Sequence, residues 1–451
     1  MELKTVRLYD TYQGKKVDLV PLKQGEVSIY YCGPTVYNYA HIGNMRPVVT
    51  FDLLNRVLRA LGYKVKMVSN YTDIDDKIIK KALEEHKSEK EVSDFYIAAY
   101  EDLLDKLNVL PLDYHPRVSN YIPEIADFIY TIMDKGYAYK ASNGDIYFDV
   151  LKDPNYGSLS KMKIDDLQAG NRIAVNDNKH SPLDFALWKL TDDDGIKFDT
   201  KIGLGRPGWH TECCVMINSY FNSPLIDIHG GGFDLKFPHH ENEMAQQYAY
   251  ANTRLANIWM HVGFINVDNQ KMSKSLGNVV LAKDAIDKYG GNVIRYLIST
   301  TYYRSPINFT LEAMETSKAE IDKYQNLLNK LISRVELQNQ KFDSSFDQDS
   351  FDEFLNYLAD DLNVPNAVTV LDRIVKKSNQ LLRNLNASIN DLSNCYNTYI
   401  KMIDVLGIKL NVIQVSEEDK QNYKAYMDAR ANKDFATSDI YRNKLMGKGL
   451  L

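Results

Sequence analysis

The sequence predicts an α/β fold: a parallel-sheet domain interrupted by an insertion, with an α-helical bundle behind it. Three observations carry this reading. Twenty of the 23 glycines lie at or before Gly291, and only Gly407, Gly447 and Gly449 follow. A strand–loop–helix–strand order stands near the start. Beyond residue 311 the apolar residues take helical spacing.

The front of the chain supplies the sheet. Residues 27–31 (VSIYY) read as a short buried strand, 46–61 carry a helical pattern, and 64–69 read as a second strand. Such a βαβ unit implies a parallel sheet with helices on both faces. Residues 119–205 are richer in Asp, Asn, Lys and Tyr, with NDNKH and TDDDG as turn clusters. They read as an insertion between two halves of one sheet domain. The sheet pattern resumes at 225–228, before HGGG, and again at 258–261. Farther on, Ile321, Tyr324, Leu328, Leu331 and Val335 line one helix face. Residues 311–406 hold no glycine and one proline, Pro365, placed to open the second long helix of an antiparallel bundle.

Composition narrows the class. With 451 residues, 44% hydrophobic and 25% charged, the chain is globular, and two to four domains are expected at roughly 100–200 residues each. Disorder, collagen and a disulfide scaffold are excluded. No apolar run approaches the ~18–20 residues of a membrane span, and the N-terminus lacks the apolar stretch of a secretory signal. Cys32, Cys213, Cys214 and Cys395 are too sparse for a disulfide framework, so a reducing cytoplasm is expected. A net charge of −6 does not itself suggest a nucleic-acid partner.

Several residues could carry chemistry. Cys32 stands where the first strand ends, at the edge where open parallel sheets place ligands. Cys213 follows PGWHTE, and His239 and Glu243 of PHHENE would share one helix face at i, i+4. Thiolates, an imidazole and a carboxylate suit zinc. Cys214 and His240 compete for the same roles, and two buried thiols beside a surface His/Glu pair is the plainer alternative. AHIGN at 40–44 sits between strand and helix, where a His beside a Gly can meet a phosphate. KMSKS at 271–275 could grip phosphates or be a solvated basic turn.

Taken together, the loop His41-Ile42-Gly43 and KMSKSLGN some 230 residues later resemble the signature pair of class I aminoacyl-tRNA synthetases. With Cys32, NYTDIDDK at 70–77, GRPGWHTEC at 205–213 and DIHGGGFDLKFPHHENE at 227–243, the chain resembles the cysteine-specific family of that class from about residue 4 to its end. The resemblance implies a Rossmann-like catalytic domain at 1–118 and 206–262 and a connective insertion at 119–205. It implies a stem-contact region with KMSKS at 263–310, a helical bundle at 311–405 and a short anticodon-binding region at 406–451.

It also implies residue roles. Cys32, Cys213, His239 and Glu243 would hold one Zn2+, which takes the substrate thiolate and so separates cysteine from serine. Gly33, Thr35, Thr72, Trp209 and Asp234 would bind cysteine, with Asp234 near its ammonium. His41, Asn44, His229, Gly230, Gly231, Gly232 and Lys274 would bind ATP, accompanied by Mg2+, and His41, Asn44, Lys271 and Lys274 would act in catalysis. The partners implied are L-cysteine, ATP and the tRNA for cysteine, for a cytoplasmic monomer with no membrane contact.

Two departures stand out. The fourth residue of the usual HIGH motif is Asn44, which donates a hydrogen bond but carries no charge; retained activity is expected. The chain stops at NKLMGKGLL, where the family usually continues, so it is a shortened piece or a natural short form. From Asn422 to Leu451 six Lys/Arg face three Asp/Glu, a balance suited to phosphate contact or to a solvated face; the resemblance favours tRNA, through Lys433, Arg442 and Lys444. Other readings are a cysteine ligase acting on an amino sugar and a non-catalytic RNA-binding relative. KIIK at 77–80 is similar to a segment through which some members use pyridoxal phosphate; an amphipathic helix is the plainer reading. Cys214 and Cys395 are expected to pack in cores.

Overall fold

The computed structural model describes residues 4–163, 178–190, 195–272 and 276–451. Lys274 and parts of the two expected turn clusters, residues 176–177 and 191–194, lie outside the described residues. The chain forms two compact units, Met1–Lys288 with Tyr303–Asn308, and Tyr289–Tyr302 with Phe309–Leu451.

In the first unit, strands β1 (Arg7–Asp10) and β2 (Lys15–Asp18) form an antiparallel hairpin. Then come β3 (Glu26–Tyr31), α1 (Ile42–Ala60) and β4 (Lys64–Val68). β3 and β4 pair in parallel, as the alternation of strand and helix predicts. Apolar residues recur on nearly every side of α1, and Met45, Val49, Phe51, Leu54, Val57 and Leu58 are fully buried; a helix apolar all round belongs inside. Helices α2 (Asp76–Glu85) and α3 (Glu89–Lys106) follow, each opened by a side-chain cap, Asp75 and Ser88.

The expected insertion carries α4 (Ile122–Asp134) and an antiparallel sheet of β5 (Ala138–Lys140), β6 (Ile146–Phe148) and β7 (Phe185–Lys189), which β8 (Arg206–Pro207), just past its expected end at residue 205, completes. The chain then re-enters the parallel sheet through α5 (Glu212–Phe221), β9 (Ile226–Gly232), α6 (His239–Ala251) and β10 (Ala256–Val262). The sheet order is β10-β9-β3-β4, all parallel. β9 runs through the glycines of HGGG, which the sequence reading had placed after the strand. A Cβ on Gly230 would sit 2.1 Å from the Met260 carbonyl oxygen and 2.7 Å from Phe51 Cζ, so only glycine lets the sheet and α1 close here.

The second unit is helical. Its long helices are α7 (Leu311–Glu336), α8 (Gln348–Ala359), α9 (Val364–Arg383) and α10 (Ile389–Val405). Pro365 stands at the start of α9, where Asn363 caps it, as its fixed φ and missing N–H favour. Tyr399 donates its hydroxyl to the Tyr324 carbonyl (2.8 Å) inside this bundle. Helices α11 (Glu417–Ala431) and α12 (Phe435–Met446) end the unit, with Leu337, Leu445 and Leu450 as a small core. No helix among the described residues is long and apolar enough to cross a membrane.

Candidate active site and metal centre

The site lies at the carboxyl ends of β3 and β9, where a parallel sheet leaves a crevice. After β3 the chain passes Cys32 and Gly33. Asn70, beyond β4, accepts the Gly33 N–H on its side-chain oxygen (2.9 Å). A Cβ on Gly33 would fall 1.6 Å from the Asn70 carbonyl oxygen. The two segments are further stitched by Val36 N–H to Thr72 O (3.2 Å) and Thr72 N–H to Pro34 O (3.1 Å).

A cleft of about 650 Å³ opens beside this junction. Cys32, Gly33, Thr35, His41, Asn44, Trp209, Gly232, Asp234 and Lys271 all contribute to its walls. The two signature segments meet here. Ile42 N–H donates to Val280 O and Ala282 N–H to Ala40 O, each at 2.9 Å. Met272 lies against Gly43, whose added Cβ would stand 3.0 Å from Met272 Cε. His41 thus sits at the N-terminus of the 19-residue α1, where unpaired N–H groups and the helix dipole favour anions. Asn44 accepts the His41 backbone N–H on its side-chain oxygen (3.0 Å). The Lys271 ammonium rests over the Phe264 ring, 4.7 Å from its centroid.

At the inner end of the cleft, polar groups converge. Cys32, Cys213, His239 and Glu243 place one ligand atom each within 4.8 Å of one another. Cys32 and Cys213 sulfurs are 3.6 Å apart, and His239 Nε2 lies 2.8 Å from Glu243 Oε1. The i, i+4 spacing on α6 brings His239 and Glu243 to one face, as the sequence predicts. Trp209 stacks on the His239 ring, centroids 4.3 Å apart, and joins the cluster to the cleft wall.

Cys32, His229, His240 and Glu243 form a second possible set. The sequence reading missed that His229 belongs here. Expected beside adenosine, it is instead fully buried below the cluster. Its Nε2 is 2.5 Å from Glu243 Oε2 and its Nδ1 is 2.8 Å from the Tyr30 carbonyl. Gly230 and Gly231 are likewise buried in β9 and do not line the cleft; Gly232 does. Thr72, expected in the amino-acid pocket, is buried, and its hydroxyl donates to Glu212 (2.8 Å) while accepting from Asn70 (3.2 Å). Cys214 points away, its thiol bonded to the Glu243 carbonyl (3.3 Å). His240 faces Cys32 (3.3 Å) on one side and His261 (2.8 Å) on the other.

Electrostatics favour a cation among these groups. Burial opposes charge on Glu243, yet the His229 and His239 imidazoles hold its carboxyl well below the usual range. Burial also disfavours charge on His239, but the Glu243 carboxylate and Cys213 push it up to about 10. The hydrogen bond with Cys32 brings the Cys213 thiol down to about 7 against its burial. Burial, then Cys213 and Glu243, push the Cys32 thiol well above its ordinary value. This donor set is able to hold a metal ion.

Of KIIK, Lys77 borders the cleft with its ammonium over Tyr37 (5.4 Å), Ile78 and Ile79 are buried, and Lys80 is exposed. Lys433, in the turn between α11 and α12, and Arg442 and Lys444 of α12 are exposed.

Comparison with known proteins agrees with this geometry. Residues 18–319 match the family of tRNA synthetases class I (C) catalytic domains, and residues 353–411 match the DALR domain. The chain is 41% identical over 452 residues to a cysteine--tRNA ligase of Halalkalibacterium halodurans, covering 99% of this chain and 97% of that one. It is 41% identical over 446 residues to one of Acholeplasma laidlawii, covering 99% of this chain and 100% of that one. Two solved structures share the fold. A methionyl-tRNA synthetase of Mycobacterium tuberculosis in complex with methionyl-adenylate gives a TM-score of 0.59 at 13% identity, with 84% and 89% of the two chains covered. A LeuRS of Agrobacterium radiobacter K84 in a ternary complex gives 0.60 at 11% identity, with 86% and 84% covered. Near-full-length identity at this level, together with the catalytic-domain match, establishes that the chain belongs to the cysteine--tRNA ligase family of class I aminoacyl-tRNA synthetases.

Proposed function

We propose that the chain ligates L-cysteine to its cognate tRNA in two steps, with Cys32, Cys213, His239 and Glu243 as the zinc ligands. The observation that carries this reading is the convergence of those four donors at the inner end of a cleft whose outer wall holds His41 and Lys271. The first donor set is preferred over the second because it offers two sulfurs and its His239 stacks on Trp209 of the cleft wall. Zinc, when bound, supplies a Lewis acid that takes the substrate sulfur as thiolate and favours cysteine over the near-isosteric serine.

The chain's own residues do the rest. Trp209 walls the amino-acid end, and Asp234, exposed at its rim, offers a carboxylate to the substrate ammonium. The N-terminus of α1, with His41, receives ATP phosphates, and Lys271 with Lys274 neutralises the pyrophosphate as the cysteine carboxylate attacks the α-phosphate. Mg2+ accompanies ATP. Positioning and charge stabilisation dominate such a step. The terminal adenosine of the tRNA then takes the cysteinyl group. Exposed Lys433, Arg442 and Lys444 contact tRNA phosphates. The protein acts as a cytoplasmic monomer.

The direct test is charging of tRNA for cysteine with radiolabelled cysteine and ATP. Charging that needs zinc and excludes serine supports the reading. Transfer of cysteine to an amino sugar and not to tRNA overturns it; the DALR match argues against that outcome.

A further inference from the structure

Helix α6 has two working faces. His239, His240 and Glu243 face the donor cluster. Glu241, between them, faces the opposite way, because residues two apart on a helix point about 200° from each other. It is fully buried, and backbone N–H groups of a loop in the insertion meet its carboxylate. Gly157 N–H donates to Oε1 at 2.9 Å, Leu159 N–H to Oε1 at 3.4 Å and Ser160 N–H to Oε2 at 2.6 Å. Neighbouring N–H groups of one loop turned inward in this way form an anion-binding concavity, while the Ser158 N–H turns back to Asn155 O.

The loop is shaped for that contact. Gly157 has φ +93°, and an added Cβ would stand 2.1 Å from the Met162 carbonyl oxygen. Met162 N–H returns to Gly157 O (3.2 Å) and the Ser160 hydroxyl to the same oxygen (3.4 Å). A second tie runs beside the first, from the Tyr156 hydroxyl to Asn242 Oδ1 (2.6 Å). The turn of α6 that carries two donors is therefore gripped from behind by the loop at 156–160.

We propose that Glu241 is a positioning residue that latches the insertion to the metal-bearing turn of α6, so that the loop at 156–160 sets how firmly His239 and Glu243 hold their ion. This rests on the metal reading above. A free α6 turn can rotate His239 and Glu243 independently of Cys32 and Cys213; the latch removes that freedom. Groups hydrogen-bonded directly to metal ligands change metal affinity by about 10–100-fold when removed, and Glu241, acting through the helix backbone, is expected at the lower end.

The test uses the full chain loaded with Zn2+ or Co2+. Glu241→Gln keeps one acceptor oxygen but turns an NH2 toward one of the loop donors. Ser160→Pro deletes the 2.6 Å donor from the loop side and leaves the helix sequence intact. Both variants are expected to release zinc to a chelator at least about tenfold faster than the parent. Both should shift the cobalt absorption bands and raise the KM for cysteine with the KM for ATP unchanged. Tyr156→Phe should give a smaller change in the same direction. A parent chain that binds neither metal overturns the metal reading and the latch with it. A parent that binds, with variants of lowered melting temperature but parental release rate and cobalt spectrum, overturns the latch alone.

Discussion

Thr72→Val swaps a hydroxyl for a methyl of nearly the same shape at a fully buried position. The Thr72 hydroxyl donates to Glu212 at 2.8 Å and accepts from the Asn70 amide at 3.2 Å. All three residues are at most 2% exposed, so water cannot replace the lost partner. Leaving a buried polar group unsatisfied costs about 1–3 kcal/mol, hence roughly 2–6 kcal/mol for the two. The added methyl returns about 1 kcal/mol of burial. A net loss of about 1–5 kcal/mol follows. For a unit of this size that corresponds to a fall of about 2–10 °C in melting temperature, at about 2 °C per kcal/mol. Differential scanning calorimetry reads it, and a cycle with Glu212→Gln should return a coupling of about 0.5–3 kcal/mol. Because Thr72 also binds the Cys32–Val36 segment through its backbone, the KM for cysteine should rise with it. A melting shift below 1 °C, or additive single and double variants, would refute the reasoning.

Three further outcomes are expected. Burial pushes the Asp153 carboxyl up to about 6; a raised acid favours the folded state only while protonated, so stability is fully present below pH ~4 and lost as pH rises through about 6. Asp153→Asn, which keeps the acceptor for Asn155 N–H, should therefore add about 2–3 kcal/mol at pH 8 and almost nothing at pH 4, checked by thermal melts at both. Asn44→Ala should lose about 1 kcal/mol through the α1 cap, measured by chemical denaturation, and keep pyrophosphate exchange within tenfold; a hundredfold gain in Asn44→His would show that the missing histidine matters. Zinc uptake by the metal-free chain at pH 7.5 should release about two protons, since Cys32 is a neutral thiol and His239 is cationic there; calorimetry in two buffers counts them.

The local parts of the fold were legible in the sequence. The βαβ unit is written in strand–helix alternation, and the bundle in 3- and 4-residue apolar steps, because both depend on neighbours in the chain. The i, i+4 pair His239 and Glu243 was legible for the same reason. His229 was not, because its ring orientation is fixed by the Tyr30 carbonyl, 199 residues away, and by Glu243. HGGG looked like a loop since glycine usually marks turns; its glycines answer instead to Met260 and Phe51 pressing on the strand. That Cys213 and not Cys214 joins the donor cluster is equally tertiary, since the Cys214 thiol turns to the Glu243 carbonyl. Glu241 gave no signal, as its partners are backbone groups that carry no residue identity.

The two hydrogen bonds that join Ala40 and Ile42 to residues 280–282 carry a consequence for how the molecule is born. The N-terminal end of α1, proposed above to receive ATP phosphates, leaves the ribosome early, yet its partner segment is made some 240 residues later. At about 5–20 residues per second, roughly 12–50 s pass between the two. Throughout that interval the nascent chain owns half of the proposed nucleotide site and cannot complete it. Closure of so distant a contact is slow to reward the folding chain. Closure of this contact thus waits until residue 282 of 451 has been made, after the sheet, the donor cluster and the insertion have had time to settle.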